Sequence, residues 1–202
     1  RLLSALHVGV VGAGGTGSAT VEMLARLGVG EITILDDDTV EETNLTRIHG
    51  ATVSDIGTSK AELAARLATT YGTDITAHPL VASAASLEGM RALKRCDVVM
   101  GCTDDHAGRL VLSRLAYRYL IPTIDCGVIV DVDQGDQVRG VVGRVTVMVP
   151  DEPCLLCRGQ VDARRAGEEM MDPERRLALA GEGYAEGAGG PAPAVVAFTT
   201  AT

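Results

Sequence analysis

A glycine-rich turn directly after a short apolar run is the feature that most constrains the fold of this chain. The run Val8–Val11 leads into Gly12, and further glycines follow at Gly14, Gly15 and Gly17 before a helical pattern begins. Gly12 suits a tight turn, and Gly14 and Gly15 let the backbone approach a ligand. Gly17 lets the new helix pack closely against the strand, with its first N–H groups aimed at an anion. The sequence therefore predicts a phosphate-binding turn between a strand and a helix.

A second strand pattern ends in an acidic residue that supports the same interpretation. Residues 32–35 are apolar or β-branched, and Asp36 follows them directly. An acid at this place can accept hydrogen bonds from the hydroxyl groups of a ribose. The two features together predict a bound nucleotide, and they leave open whether it is ATP or a redox dinucleotide.

Strand and helix patterns alternate as far as residue 126. Strands are predicted near 7–12, 31–36, 75–81, 96–102 and 122–126, and helices over 16–28, 58–71, 86–94 and 105–120. Such alternation predicts an α/β fold with a Rossmann-like, doubly wound and mostly parallel sheet. Ligands of these sheets bind at the carboxyl ends of the strands. The glycine turn, Asp36 and Thr103–Asp104 are therefore expected to line one crevice.

The pattern changes after Gly127. Residues 137–149 are rich in β-formers without a crossover helix before them, which predicts antiparallel strands appended to the sheet. Residues 158–192 are polar and glycine-rich, so we expect a mobile crossover loop with a helical segment near Pro173–Ala180. Residues 1–202 are interpreted as a single domain and as a fragment of a longer chain.

Charge and cysteine content narrow the classes of function. A formal net charge of −9 argues against binding to nucleic acids or anionic membranes. No apolar run is long enough to span a bilayer, and no secretory signal is visible. The five cysteines do not suggest a disulfide framework. We therefore expect a cytoplasmic protein that acts on neither nucleic acid nor membrane.

Three further features favour ATP over a dinucleotide. The acidic segment after the second strand continues to Asp38, Asn44 and Arg47, which is more than ribose recognition requires. An asparagine and an arginine there can reach a triphosphate, with the guanidinium taking two oxygens. Lys60 begins a helix among small residues and can neutralise phosphate charge. Asp104 follows a strand, where its carboxylate can hold Mg²⁺.

As a set, these residues resemble the ThiF/MoeB family, the bacterial relatives of ubiquitin-activating enzymes. The resemblance covers essentially the whole chain: the doubled glycine turn, Leu35–Val40, Asn44-Leu45-Thr46-Arg47, Lys60, Cys102–Asp104 and the pair Cys154 and Cys157. It implies an ATP-dependent adenylyltransferase that activates a C-terminal carboxylate and releases pyrophosphate. The acceptor would be a ubiquitin-like protein of the sulfur-carrier type, or a peptide.

The resemblance also implies the role of each site residue. Nucleotide binding would fall to Gly12, Gly14, Gly15, Gly17, Asp36, Asp38, Asn44, Arg47, Lys60 and Asp104. Within that set, Asp36 would hold the ribose, and Asn44 would contact the triphosphate. Arg47 and Lys60 would stabilise charge on the phosphates, and Asp104 would bind Mg²⁺. Arg47, Lys60 and Asp104 would therefore be catalytic through positioning and charge stabilisation.

The resemblance extends to a zinc site and to an oligomeric state. Cys154 and Cys157 would form half of a zinc site, whose second Cys-x-x-Cys pair is not in this sequence. Residues 158–202 contain no cysteine, so adenylation without a later covalent sulfur step is expected. Relatives are usually homodimers, and residues 137–149 are a candidate interface.

Other functions remain open from the sequence. A related ATP enzyme can activate a carboxylate on modified tRNA, although the acidic charge argues against it. An NAD-dependent oxidoreductase would need an acid/base His or Lys in a second domain, and none is convincing. A non-catalytic scaffold is disfavoured because the acids and cations of the predicted site are intact.

Individual residues also have plainer interpretations. Asp104 can be a helix N-cap, Lys60 a solvated side chain, and Arg109 a member of an ordinary ion pair instead of a site residue. Three cysteines in apolar strands are interpreted as small buried hydrophobes: Cys96, Cys102 and Cys126. Four histidines lack ligand spacing and are interpreted as incidental: His7, His49, His78 and His106.

Overall fold

One sheet forms the centre of the computed structural model, which describes residues 2–72, 74–133 and 137–171. Its strands are β1 (His7–Val11), β2 (Glu31–Leu35), β3 (Thr76–Leu80), β4 (Val98–Gly101), β5 (Thr123–Val132) and β6 (Val138–Met148). Their order across the sheet is β3-β2-β1-β4-β5-β6, and every neighbouring pair is parallel except β5 and β6. The predicted Rossmann-like α/β sheet is confirmed.

Helices cover both faces of the sheet. They are α1 (Gly15–Leu27), α2 (Lys60–Tyr71), α3 (Leu87–Leu93), α4 (His106–Arg118) and α5 (Ala163–Glu169). Helices α1 and α2 pack on the face that Val10 enters, whereas α4 packs on the opposite face, which receives Val11. Successive strand residues point to opposite faces, which explains why both valines are buried. Among the described residues, no helix combines the length and the apolar character that a membrane crossing requires.

Side-chain caps fix where two helices begin. Ser59 accepts a hydrogen bond from an amide of the first turn, so Ser59 and not Thr58 is the N-cap of α2. At α4 the cap is Asp105, whose carboxylate accepts a hydrogen bond from the Gly108 amide. The interpretation of Asp104 as the N-cap is therefore wrong, because the helix begins one residue later and leaves Asp104 exposed.

The sheet extends further on one side than the sequence predicts. Strand β5 is predicted to end at Cys126 but continues to Val132, because residues from Gly127 onward pair with β6. The pairing is antiparallel and matches Thr123 with Met148. The antiparallel addition is thus observed as one long strand, and the glycine does not end β5.

Residues 158–171 belong to the predicted crossover loop, yet they contain the packed helix α5. Asp162 caps this helix by accepting hydrogen bonds from two amides of its first turn. Ala166 is fully buried in the core beside α4, since its small side chain allows close approach. Seven residues carry too little periodicity for a helix to be recognised in the sequence. The helical segment predicted at Pro173–Ala180 and the rest of the 158–192 loop lie outside the described residues.

Candidate nucleotide-binding site

A cleft of about 600 Å³ opens at the carboxyl ends of β1, β2, β4 and β5. Sheets of this topology bind ligands at this edge, and the volume suits a ligand of nucleotide size. The predicted site residues that line the cleft are Gly12, Gly14, Gly15, Asp36, Asp38, Arg47, Lys60 and Asp104. The structure therefore brings together residues from four separate parts of the chain.

The glycine turn joins β1 to α1 where the sequence predicts it. Gly12 has a φ of +88°, a conformation that strains any residue with a side chain, and its amide donates to the Leu35 carbonyl at 2.8 Å. Gly17 lies behind the turn and not in the cleft. A Cβ at Gly17 would lie 1.8 Å from the carbonyl oxygen of Gly12, so only glycine allows α1 to approach this closely.

The N-terminus of α1 is open toward the cleft. Gly14 is its N-cap and makes no side-chain capping hydrogen bond, and a Cβ there would meet no atom within 4 Å. By contrast, Ser59, Ser86 and Asp105 cap α2, α3 and α4 with their side chains. An N-terminus without a side-chain cap carries partial positive charge and binds phosphate oxygens.

Asp36 braces the turn from the end of β2. Its carboxylate accepts hydrogen bonds from the Ala13 amide at 2.6 Å and from the Asp38 amide at 2.9 Å. Burial raises the pKa of Asp36, although the two amides favour its charged form. A carboxylate oxygen can accept a second hydrogen bond, so Asp36 can hold the turn and a ribose hydroxyl together.

Two cations line the cleft near the acidic segment. Lys60 donates to the Asp38 carboxylate at 2.7 Å, and its side chain is only 11% exposed, so it is not a solvated surface residue. Arg47 donates to the Thr43 carbonyl at 3.1 Å. Both therefore lie where the negative charge of a bound phosphate chain would be neutralised. The carboxylates of Asp36, Asp37 and Asp38 lie within 4.8 Å of one another.

Asn44 does not line the cleft. It is buried, and its amide oxygen accepts a hydrogen bond from the Glu41 backbone at 3.3 Å. Its amide nitrogen donates to the Thr43 hydroxyl at 3.2 Å. These bonds close the short 3₁₀ turn Glu42–Asn44 that precedes Arg47. Asn44 thus stabilises the segment that carries the arginine.

The two acids after β4 are placed differently. Both line the cleft, but Asp104 is exposed, whereas Asp105 accepts hydrogen bonds from the Thr103 hydroxyl and the Gly108 amide. Mg²⁺ in nucleotide sites is held by one or two carboxylates, with water and phosphate oxygens completing the shell. The exposed carboxylate of Asp104 fits that role.

A buried polar cluster around Asp125, near the start of β5, is absent from the predicted site. Asp125 is fully buried, 3.0 Å from Arg144 and 3.6 Å from Arg109. Arg109 and Gly127 line the cleft. Arg109 is therefore both a member of an ion pair and a residue of the site, so the two interpretations of it are compatible. Ligands of such sheets bind where the parallel strands end, and this is how Asp104 is identified. Asp125 lies at the corresponding place, because the parallel pairing of β5 with β4 ends there. The sequence does not indicate where this parallel pairing ends, because β5 continues to Val132.

The three strand cysteines differ in their surroundings. Cys96 is buried as predicted, and burial raises its pKa to about 12. Cys102 and Cys126 are half-buried and also line the cleft, and Cys102 packs against the core, so the expected burial is only partial. Contact with Cys126 and burial raise the pKa of Cys102, whereas contact with Cys102 lowers the pKa of Cys126. Both cysteines lie where the parallel pairing of their strands ends, which is where such sheets bind ligands.

Cys154 and Cys157 lie together, away from the cleft. Their sulfur atoms are 3.4 Å apart, and the Cys157 amide donates to Cys154 Sγ at 3.5 Å. Burial opposes ionisation of Cys154, but hydrogen bonds from Cys157 and nearby amides leave its pKa below the ordinary value. Two thiolates at this spacing fit one half of a tetrahedral zinc site.

None of the four histidines, all of which the structure describes, lines the cleft. His7 and His78 both contact Glu31, at 3.6 and 2.9 Å, and His49 contacts Glu22 at 3.1 Å. The Asp162 amide donates to His106 Nδ1 at 3.1 Å, so all four histidines have structural partners.

The fold and the cleft define a nucleotide-binding α/β domain, and comparison with known proteins gives its family. The chain belongs to the ThiF family, whose profile matches residues 1–202. It is 35% identical over 157 residues to the SAMP-activating enzyme E1 of Haloferax volcanii, covering 78% of this chain and 54% of that relative. It is 30% identical over 159 residues to the molybdopterin-synthase adenylyltransferase of Escherichia coli (strain K12), covering 78% and 60%.

Solved structures share the architecture. Escherichia coli tRNA N6-threonylcarbamoyladenosine dehydratase, TcdA, matches with a TM-score of 0.59 at 27% identity, covering 66% of this chain and 57% of that one. Escherichia coli MccB with ATP matches with a TM-score of 0.67 at 20% identity, covering 98% and 53%, a likeness of fold alone. The chain thus spans about half the length of such relatives.

Proposed function

We propose that this protein is an ATP-dependent adenylyltransferase that activates the C-terminal carboxylate of a ubiquitin-like protein or of a peptide. The observation that carries the proposal is the cleft. The residues around it include the first residues of α1, the acids Asp36 and Asp104, and the cations Arg47 and Lys60. Membership of the ThiF family, with relatives named as adenylyltransferases, supports the same activity here.

In the proposed reaction, a carboxylate oxygen of the acceptor attacks the α-phosphorus of ATP. The new oxygen–phosphorus bond gives an acyl adenylate, and the bond to pyrophosphate breaks. The nucleophile is already ionised, so the site needs no general base and acts by positioning and charge stabilisation. Gly14 and the first turn of α1 hold phosphate oxygens, and Asp36 holds the ribose. Arg47 and Lys60 stabilise the charge that develops on the α-phosphate.

We assign Mg²⁺ to Asp104. The ion supplies neutralisation of the triphosphate charge when it is bound. Asp38 is the residue that keeps Lys60 in place before the nucleotide binds, since their side chains form an ion pair at 2.7 Å.

The acceptor is inferred from the relatives. One is named a SAMP-activating enzyme and others ubiquitin-like modifier-activating enzyme 5, which supports a ubiquitin-like acceptor with a free C-terminus. The likeness to TcdA favours a second candidate, a carboxylate on modified tRNA. The net charge of −9 opposes association with a polyanion, so we favour the protein or peptide acceptor.

ATP–pyrophosphate exchange tests the proposal. The full-length protein is mixed with MgATP, labelled pyrophosphate and candidate acceptors, and label is expected to enter ATP only when an acceptor with a free carboxylate is present. Arg47→Ala or Lys60→Ala is expected to lower exchange by roughly 10²–10³, in line with the loss of a group that stabilises transition-state charge. The matched controls are Arg139→Ala on β6 and Lys94→Ala beyond α3, which lie outside the cleft.

Other outcomes separate the alternatives. Exchange that depends on modified tRNA supports the second candidate. Hydride transfer to or from NAD would establish an oxidoreductase, and folded protein without activity toward any acceptor would establish a scaffold. The last two results contradict the proposal.

We further propose that Cys154 and Cys157 bind Zn²⁺ together with two further ligands. A closed structural site needs four ligands, and these two thiols supply an adjacent pair. Zinc content near one ion per full-length chain is expected, and its loss in Cys157→Ser with retention in Cys126→Ser checks the assignment.

The same proposal includes assembly and compartment. We propose one adenylation domain over residues 1–202, the span of the family match, which works as a homodimer. Cytoplasmic placement is supported by five free cysteines, a state that a reducing compartment preserves.

A further inference from the structure

Two arginines from different elements share one buried carboxylate. Arg144 on β6 donates to Asp125 at 3.0 Å, and Arg109 on α4 approaches the other carboxylate oxygen at 3.6 Å. Asp125 is 0% exposed, and the two arginine side chains are 20% and 13% exposed. Among the described residues, Asp125 is the ion-pair partner of both. The cluster therefore carries a buried surplus of one positive charge.

The hydrogen bonding of the cluster is incomplete. Arg109 Nε, Arg144 Nε and Asp125 Oδ1 are buried without a hydrogen-bond partner in the part of the chain that the structure describes. Buried polar atoms are nearly always paired. Arg109 Nε and Asp125 Oδ1 face each other at 3.6 Å, so a small adjustment can pair them, whereas Arg144 Nε is left without a partner among the described residues. The neighbouring acids Asp105 and Glu169 accept hydrogen bonds from amides of α4.

Gly127 shows where the two guanidinium groups meet. A Cβ at Gly127 would lie 2.8 Å from Arg144 Nη2 and 3.3 Å from Arg109 Nη2. Gly127 lies within the regular strand β5 and is not among the glycines with positive φ. A glycine at this position therefore leaves room for the two guanidinium groups and is not needed for the backbone conformation. Gly127 and Arg109 line the cleft, whereas Arg144 does not; the Arg144 guanidinium group lies directly behind Gly127.

This convergence lies apart from the phosphate-binding turn. Strand β5 is two neighbours away from β1 in the sheet, a separation of about 10 Å at ordinary strand spacing. We propose that Arg109 and Arg144, held by Asp125, form the subsite that receives the carboxylate of the acceptor's C-terminus. The inference rests on the proposed function for the identity of that acceptor.

The charge of the cluster favours a carboxylate over a phosphate. One surplus positive charge is neutralised by a monoanion, whereas a phosphate dianion would leave a negative charge in a buried place. A planar carboxylate can also take hydrogen bonds from two guanidinium groups at once. The phosphates of ATP have their own partners in Gly14, Arg47 and Lys60, and the proposed reaction requires the α-phosphate to lie between these residues and the two arginines.

A binding experiment tests this subsite without catalysis. N-acetylglycylglycine is used because it has no side chains that need a pocket, and its C-terminal amide is the uncharged probe. Each is titrated into the full-length protein and followed by NMR chemical shifts. The acid is expected to bind about tenfold more tightly than the amide, and Arg144→Gln is expected to remove that preference. Inorganic phosphate is expected not to displace the acid.

Controls separate the subsite from folding and from nucleotide binding. Arg139→Gln, on the same strand but 67% exposed, is expected to keep the preference. Gly127→Ala retains every charge and is expected to weaken binding of the acid several-fold, because its methyl group enters the space between the guanidinium groups. Melting temperature and MgATP affinity of each variant show whether the fold and the nucleotide site survive.

Two results would overturn the inference: a folded Arg144→Gln protein that still prefers the acid, or competition by phosphate at the same site. Exchange activity is measured separately. An arginine-dependent preference without exchange would retain the carboxylate subsite and reject the adenylyltransferase. Exchange with an unchanged acceptor KM in Arg144→Gln would reject the subsite alone.

Discussion

At the scale of single residues, two glycines of the same turn are needed for different reasons. Gly17 is required by the protein itself, because a Cβ there would collide with the Gly12 carbonyl. Gly14 has open space around its Cβ position and an ordinary negative φ, so only a ligand would need its small size. The sequence motif contains both residues but does not separate these two requirements.

Alanine substitutions test the distinction. Gly14→Ala is expected to change the free energy of unfolding by less than about 1 kcal/mol, the range of N-cap effects. It should nevertheless weaken ATP binding tenfold or more, because the methyl group occupies the phosphate space. Gly17→Ala is expected to destabilise the protein by about 3 kcal/mol through overpacking. Denaturant unfolding and calorimetric titration with ATP measure both, and unchanged ATP affinity in a folded Gly14→Ala protein would contradict the proposed phosphate contact.

Asp55 gives a pH-dependent prediction at the same scale. Its carboxylate accepts hydrogen bonds from the Thr52 hydroxyl and amide and from Arg66, and these hold its pKa below the ordinary value. A depressed pKa contributes stability above the pKa of the unfolded chain, near 4, and the contribution is lost as the pH falls through the folded value.

Asp55→Asn is therefore expected to lower the free energy of unfolding by roughly 1 kcal/mol at pH 7. The difference from the wild type should shrink as the pH falls below about 4. Urea unfolding at several pH values measures it, with the exposed residue Glu88→Gln as the control. A difference that stays constant down to pH 2 would mean that the charge of Asp55 contributes nothing.

At the scale of elements, α4 connects the nucleotide cleft to the fold through two consecutive acids. Both acids line the cleft, but the Asp105 carboxylate is engaged as the helix cap, whereas Asp104 is exposed and is not the cap. The residue at which α4 begins decides which acid is the cap and which is left exposed, since the cap must directly precede the first turn. A shift of one residue would exchange a structural acid for a ligand-binding one.

A matched pair of variants checks this division. Asp105→Ala is expected to cost about 1 kcal/mol of stability through the lost cap. Asp104→Ala is expected to change stability by less than about 0.5 kcal/mol and to abolish pyrophosphate exchange. Thermal melting and exchange are measured on both, with the exposed Asp131→Ala as control. Full exchange by Asp104→Ala would remove this residue from the mechanism.

At the scale of the whole molecule, β6 is the outermost strand on one side of the sheet that the described residues form. Val142, Val145 and Val147 on this strand are 57%, 69% and 51% exposed. An edge strand with exposed β-branched residues presents unpaired backbone groups and apolar surface to another chain. These features support β6 as the interface of the proposed homodimer.

Charge placed on this edge tests the assembly. The wild type is expected to sediment as a dimer, and the double variant Val145→Lys with Val147→Lys as a folded monomer, because two desolvated lysines oppose association. Val53→Lys, at a position 74% exposed outside β6, is the control and should remain dimeric. Analytical ultracentrifugation distinguishes the states, and an unchanged dimer in the double variant would place the interface elsewhere.

Local patterns in the sequence are enough to predict the parallel core and most of the residues that line the nucleotide cleft. Alternating apolar runs and a glycine turn are local patterns. Asp36 and Asp104 each follow a strand, and the carboxyl ends of parallel strands meet at the same edge of the sheet. Tertiary structure alone decided the rest. Asn44 turned inward because its own 3₁₀ turn uses its side chain, and Arg144 joined Asp125 only through the register of β5 and β6. Such contacts depend on pairing between distant segments, which no local pattern records.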